Sequence, residues 1–185
     1  MSRVQDSVRN KIQTIYDSTE RMNREYLAIW RDHILFSWEW WVCLLLTIVP
    51  WMAWVKFRKK ESSDRLLYAG FFVLIISSYL NFLGISYGLW WYLVDVIPTV
   101  PSFVVWDCSV LPVMSMLFLQ YKPEYSPYIK ALLFSLFNSF VAETIFRWIG
   151  FYEPKNWNSL YSFPLYYLIY MMADYLSRRN AFVKI

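Results

Sequence analysis

Histidine occurs once in the 185 residues, as His33, and cysteine twice, as Cys43 and Cys108. A zinc centre needs about four such ligands, so a Cys/His metal site is nearly excluded. Both cysteines lie inside apolar runs, where a thiol acts as a small hydrophobe. Glycine is limited to four residues, and neither a P-loop, a dinucleotide-binding glycine motif nor a nucleophile elbow can be found. A Ser-His dyad would have to use His33, outside the apolar blocks. No cofactor or metal is expected, and no residue is assigned a catalytic role. Charge is also scarce, at 17% of residues.

What fills the chain instead is apolar and aromatic. Hydrophobic residues make up 58%, with 11 Trp, 15 Tyr and 14 Phe. A soluble domain of this length could not hide so much apolar surface. The excess falls in blocks of about twenty residues, the length that crosses about 30 Å of hydrocarbon. The expected fold is therefore all-α, a polytopic membrane helical bundle of about five transmembrane helices. Residues 37–178 form that bundle, with spans at 37–55, 66–84, 103–121, 128–149 and 160–177, and 179–185 form a C-terminal tail. The stretch 85–101 is apolar but interrupted by Gly88, Asp95, Pro98 and Pro101. It is read as one re-entrant or interfacial segment, because irregular backbone at membrane depth must be covered or wet. The lipid bilayer is the first partner.

Residues 1–36 are charged and lack an apolar core near the start, so the first membrane helix is expected to act as the insertion signal. They read as a long amphipathic helix. Ile12, Ile15, Met22, Tyr26 and Ile29 follow steps of four and three along a seam that also takes in Val8, Thr19 and His33. With no proline or glycine before Trp38, the helix is expected to run straight on into the first span. Its seam suits either its own domain, the membrane surface, a second copy of the chain or a partner membrane protein.

The net charge of +4 does not point to nucleic acid, since the basic residues gather beside the apolar blocks. Lys56, Arg58, Lys59, Lys60 and Arg65 crowd the first connection. Lys122 and Lys130 flank the third, and Arg178, Arg179 and Lys184 close the chain. With five spans, these positions and the C-terminus are expected on the cytoplasmic side of the plasma membrane. The N-terminal helix then lies outside, although it carries six Arg or Lys nearly cancelled by five acidic residues.

Against this background, "SFVAETIFRWIGFY" places Glu143 and Arg147 one helical turn apart in a run suited to hydrocarbon. Asn81, Asp107, Glu143 and Arg147 all fall within about 10 Å of the outer end of their helices, at about 1.5 Å per residue. Ionisable groups at the bilayer centre are costly unless paired or wet, at about 2.5–3.5 kcal/mol each. Two readings follow. The groups line an outward-facing polar pocket, with Tyr161 of "YSFP" as a further candidate. Alternatively, Glu143 and Arg147 neutralise each other while Asp107 caps its helix. Asp174 and Arg178 read as an interfacial pair, and Asn138 as the donor of an interhelical hydrogen bond.

Taken together, "RKKESSDRLL", "SYLNFLGISYGLWWY", "IPTVPSFVVWDCSVLPV", "VAETIFRWIGFYEPKNW" and "YSFPLYYLIY" resemble an uncharacterised family of small multi-pass membrane proteins of endospore-forming Gram-positive bacteria. The resemblance covers about residues 38–178. It implies an integral plasma-membrane protein and brings no activity, substrate or cofactor. It matches the family's Trp-Asp pair to Trp106–Asp107, its intramembrane Glu to Glu143 and its "YSFP" to Tyr161–Pro164. The chain departs where Asn81 replaces a usual Asp and where Thr144 replaces a frequent Pro.

The expected function is a non-enzymatic assembly or binding component with an outward-facing polar cluster. The alternative is a membrane-embedded enzyme or carrier for lipid or isoprenoid substrates, working through Asp107 and Glu143.

Overall fold

The computed structural model describes residues 3–98 and 103–179. Pro101 and most of the 179–185 tail, Lys184 included, lie outside the described residues. Six helices account for most of what is described. Helix α1 spans Arg3–Ile29 and α2 Trp38–Phe57. Helix α3, Ser63–Ser86, is opened by a 3-10 turn over Lys60–Ser62. Then come α4 at Val105–Gln120, α5 at Pro127–Trp148 and α6 at Ser159–Ser177.

Three helical stretches are long and apolar enough to cross a membrane: Trp38–Phe57, Lys60–Ser86 and Pro127–Trp148. Five such helices were expected. Helix α4 is about one turn short of the ~20 residues that ~30 Å of hydrocarbon requires. Helix α6 has 19 residues, but its tyrosines, serines and Asp174 dilute its apolar character.

Helix α1 does not continue into α2. A π turn over Trp30–Ile34 ends it, and Phe36 takes a left-handed backbone with φ 64°. Ser37 then caps α2, its hydroxyl accepting from the Trp40 N–H at 3.2 Å. The break is fixed by tertiary partners that the local pattern does not reveal. The Trp30 and Trp40 indoles donate to the carbonyls of Asp95 (2.8 Å) and Val96 (3.4 Å), in the loop after α3. Beyond this anchor the seam of α1 is bare, with Ile15 64% and Met22 60% exposed, Ile12 and Ile29 also exposed, and Tyr26 half-buried.

The core lies where α3, α4, α5 and α6 meet. Helix α6 packs along α5 and α3, and α4 runs between α2 and α3. Gly70 lets α3 and α4 approach closely, since a Cβ there would sit 2.6 Å from the Met116 sulfur. Polar bonds tie α2 to α4. The Ser109 hydroxyl donates to the Thr47 carbonyl (2.8 Å), and the Trp51 indole donates to the Cys108 carbonyl (2.9 Å). Pro112 has no N–H for that Cys108 oxygen four residues back, so the indole supplies a donor there.

At the opposite end from Trp30 and Trp40, polar groups close the bundle. Gln120 accepts from the Lys59 N–H and donates to the Phe57 carbonyl. The Lys130 ammonium donates to the carbonyls of Leu119 and Tyr121. Arg178 grips Asp174 through two bonds of 2.7 and 3.0 Å, the interfacial pair expected there.

The stretch after α3 is not helical over its described residues, 87–98. Trp90–Tyr92 forms strand β1, which pairs antiparallel with β2, Tyr152–Pro154, in the loop between α5 and α6. Two loops about sixty residues apart thus satisfy each other's backbone polar groups, as a segment at this level must do.

Asp95 lies at the junction of this ribbon with α1, outside the spanning helices. Burial pushes its carboxyl up to about 7, against the pull of hydrogen bonds from Val96, Ile97 and Val104 N–H groups. In the unfolded chain an Asp releases its proton near pH 4. The folded form therefore holds the extra proton between the two values, and its stability falls as pH rises through that window. Thermal unfolding in detergent should move to lower temperature from about pH 5 to about pH 8. Asp95→Asn should flatten that slope; equal slopes for both proteins would remove Asp95 as the cause.

Candidate polar cavity

Asn81 is buried on α3, one turn before Gly84. A methyl group at Gly84 would overlap the six-membered ring of Trp90. The missing side chain lets that indole lie against the helix, where its Nε1–H donates to Asn81 Oδ1 at 2.6 Å. The Tyr92 hydroxyl donates to the same oxygen at 3.2 Å. Because an indole nitrogen can only donate, the Asn81 amide has one allowed orientation. Its Nδ2 therefore faces α4 and donates to Asp107 Oδ2 at 2.6 Å. Asp107 is 2% exposed, and its backbone carbonyl accepts from the Ser77 hydroxyl at 3.3 Å.

Both carboxylate-bearing helices are locally rewound next to this site. Asp107 lies in the π segment Val105–Val110, and Glu143 directly follows the π segment Phe137–Ala142. Such bulges shift the side chains beyond them around the helix axis. Asn138, inside the second bulge, bonds back to its own Phe134 carbonyl at 2.6 Å rather than across to another helix. Its Oδ1 and the Ser139 hydroxyl are buried without a hydrogen-bond partner.

Asn81, Asp107 and Glu143 line one cavity of about 90 Å³. Its floor and sides come from α3, α4, α5 and α6, and the ribbon covers it with Trp90, Tyr92 and Tyr152. Tyr92 stacks on Phe103 at 4.4 Å between ring centres, and Trp157 meets Trp90 edge-on at 4.9 Å. The Trp106 indole donates to the Tyr166 hydroxyl (3.2 Å), and the Trp157 indole to the Ser162 hydroxyl (2.8 Å). Burial, and secondarily the Glu143 carboxylate, push the Tyr152 phenol above its ordinary pKa while Arg147 pulls it down. Tyr152 therefore stays protonated at neutral pH.

Glu143 is held differently from Asp107. The hydroxyls of Ser162, Ser159 and Tyr166 are its polar surroundings, yet Oε2 is buried without a hydrogen-bond partner. Arg147, one turn on, does not neutralise it. It is exposed, and the ion pairs among the described residues are Glu20–Arg24, Arg31–Asp32 and Asp174–Arg178. Tyr161 is 59% exposed, outside the cavity, with its ring against Trp157. Three of the five candidates thus meet, and Arg147 and Tyr161 do not.

Sequence reasoning missed Trp90, Tyr92, Tyr152, Trp157 and Tyr166. Part of the signal was present. Trp90 and Tyr92 are two apart, which in a strand turns both rings to one face and leaves Trp91 on the other. Trp91 is indeed exposed.

Gly84→Ala should force the Trp90 ring off α3 and break its bond to Asn81. The expected loss is about 1–3 kcal/mol, typical of overpacking, read as a lower unfolding temperature in detergent with a red-shifted tryptophan emission. An unchanged spectrum and unfolding temperature would show that the ring does not depend on this contact.

No family model, no curated protein and no solved structure matches the chain, so the resemblance to small multi-pass membrane proteins remains an expectation, and the functional reading stands on the geometry.

Proposed function

We propose that the chain is a five-pass plasma-membrane protein that acts by binding and assembly rather than catalysis. In this reading the cavity faces the extracytoplasmic side and takes a small polar group or a lipid headgroup. The observation that carries it is the Glu143 carboxylate, whose Oε2 is buried at the cavity with the Ser159, Ser162 and Tyr166 hydroxyls near the group but none in hydrogen-bonding geometry to that oxygen. A buried charged or polar group left without a partner is expensive, so a built site that leaves one open has room for a ligand atom.

The orientation rests on charge. Lys59 and Lys130 lie with Arg178 at the end opposite the ribbon, the side that the positive-inside rule assigns to the cytoplasm. Helices α4 and α6 count as the fourth and fifth passes, with α4 shielded by neighbours that compensate for its length. The bare seam at Ile12, Ile15, Met22 and Ile29 supports an assembly role for α1, with a second copy of the chain or a helix of a partner membrane protein.

The second reading is a lipid or isoprenoid enzyme or carrier. What favours it is that two carboxylates, Asp107 and Glu143, share one cavity. What weighs against it is size, since about 90 Å³ is well below the ~300–1,000 Å³ of ordinary small-molecule sites.

Two experiments test these readings. Glu143→Gln and Asp107→Asn proteins should insert and fold, and in the binding reading they should keep the oligomeric size of the wild type. Loss of a cellular phenotype with turnover of an added lipid substrate by the wild type alone would favour the enzyme. Separately, deletion of residues 1–30 should reduce the particle size in detergent and abolish crosslinking in membranes. Unchanged size and crosslinking would end the assembly role of α1.

A further inference from the structure

We infer that the cavity is a site for an ammonium group, free or methylated, which deepens and rests on the headgroup-binding reading. Four observations converge on a cation. First, Asp107 and Glu143 both line the space, and among the described residues no Lys, Arg or His does. Elsewhere in the bundle the compensation is visible: buried Asp174 has Arg178, and buried Lys130 has two carbonyls. At the cavity the counter-charge is missing, and a buried carboxylate either meets one or holds a proton, so a cation that enters displaces that proton.

Second, the walls are aromatic. Trp90, Tyr92, Trp106, Phe146, Trp157 and Tyr166 surround the carboxylates. Aromatic faces carry negative potential and attract cations, most strongly where water is excluded.

Third, the donors an anion would need are already taken. The indole N–H groups of Trp90, Trp106 and Trp157 are bonded to Asn81 Oδ1, the Tyr166 hydroxyl and the Ser162 hydroxyl. The Tyr92 hydroxyl is bonded to Asn81 as well. A phosphate or carboxylate would meet two carboxylates and few free donors. An ammonium would meet an open acceptor at Glu143 Oε2.

Fourth, the cavity is small, about 90 Å³ against the ~300–1,000 Å³ of ordinary small-molecule sites. That space fits a small charged head and leaves any chain outside. The ammonium can come from a dissolved amine or from the headgroup of an amino-phospholipid, and the two share the chemistry that this site recognises.

The test uses the full-length chain in detergent. Tetramethylammonium, choline and ethanolamine chlorides are titrated at constant ionic strength, with sodium chloride and inorganic phosphate as comparisons. Heat of binding and unfolding temperature are the readouts. The expected result is saturable binding of at least one ammonium probe with a raised unfolding temperature, and none with phosphate. Glu143→Gln should weaken it at least tenfold, and Lys56→Gln, at the opposite end of the bundle, should leave it unchanged. If Glu143→Gln does not fold, Trp157→Leu provides the second variant, with the same weakening expected. Repeating the titration in nanodiscs separates the two sources. If phosphatidylethanolamine suppresses choline binding and phosphatidylglycerol does not, the headgroup is the source; equal binding in both assigns a dissolved amine. Phosphate binding in place of the ammonium probes overturns the cation and leaves the headgroup reading standing. No binding of any probe in detergent or phosphatidylglycerol overturns both.

Discussion

The Asn81 amide holds three parts of the molecule in one arrangement. Its oxygen accepts from Trp90 and Tyr92 of the ribbon, and its nitrogen donates to Asp107 of α4. An amide suits this position because it offers an acceptor on one side and a donor on the other. A carboxylate there would face Asp107 as a second acid and would need a shared proton. The amide at Asn81 therefore has a local physical consequence, a neutral bridge where two acids would otherwise meet.

The rest of this end of the bundle is built around that bridge. Gly84 opens the surface on which Trp90 lies, and the antiparallel pairing of β1 with β2 carries Tyr152 to the same space. The two π segments place Asp107 and Glu143 towards it from α4 and α5. Irregular backbone is concentrated at this end of the bundle, where aromatic rings cover it. At the other end, regular helices are joined by short basic turns and closed by Gln120, Lys130 and Arg178. This asymmetry is what makes the ribbon end the candidate site.

Helix α1 stands apart from both regions. Its charges and seam repeat regularly, and among the described residues it is tied to the bundle by Trp30, in the π turn that ends it. Phe36 adopts a backbone that few non-glycine residues take, at about 1–2 kcal/mol. Its ring rests against Trp40 and Trp41 at 5.4 and 6.3 Å, contacts that help to offset the strain. The direction in which α1 leaves the bundle is thus set by aromatic packing at residues 30–41.

The sequence by itself determined the mostly helical class, the positions of the apolar helices to within a few residues and the end that carries the basic turns. Those properties depend on block length and charge, which are local. It also marked Asn81, Asp107 and Glu143, because polar groups are conspicuous in an apolar run. Only the tertiary structure decided that these three share a cavity, that Arg147 and Tyr161 stand outside it, and that α1 breaks before α2. Each of those outcomes depends on features that spacing does not carry: the register of two loops about sixty residues apart, indoles reaching across to loop carbonyls, and a π segment that rotates Glu143 relative to the turns before it. Spacing along one helix contains none of that information.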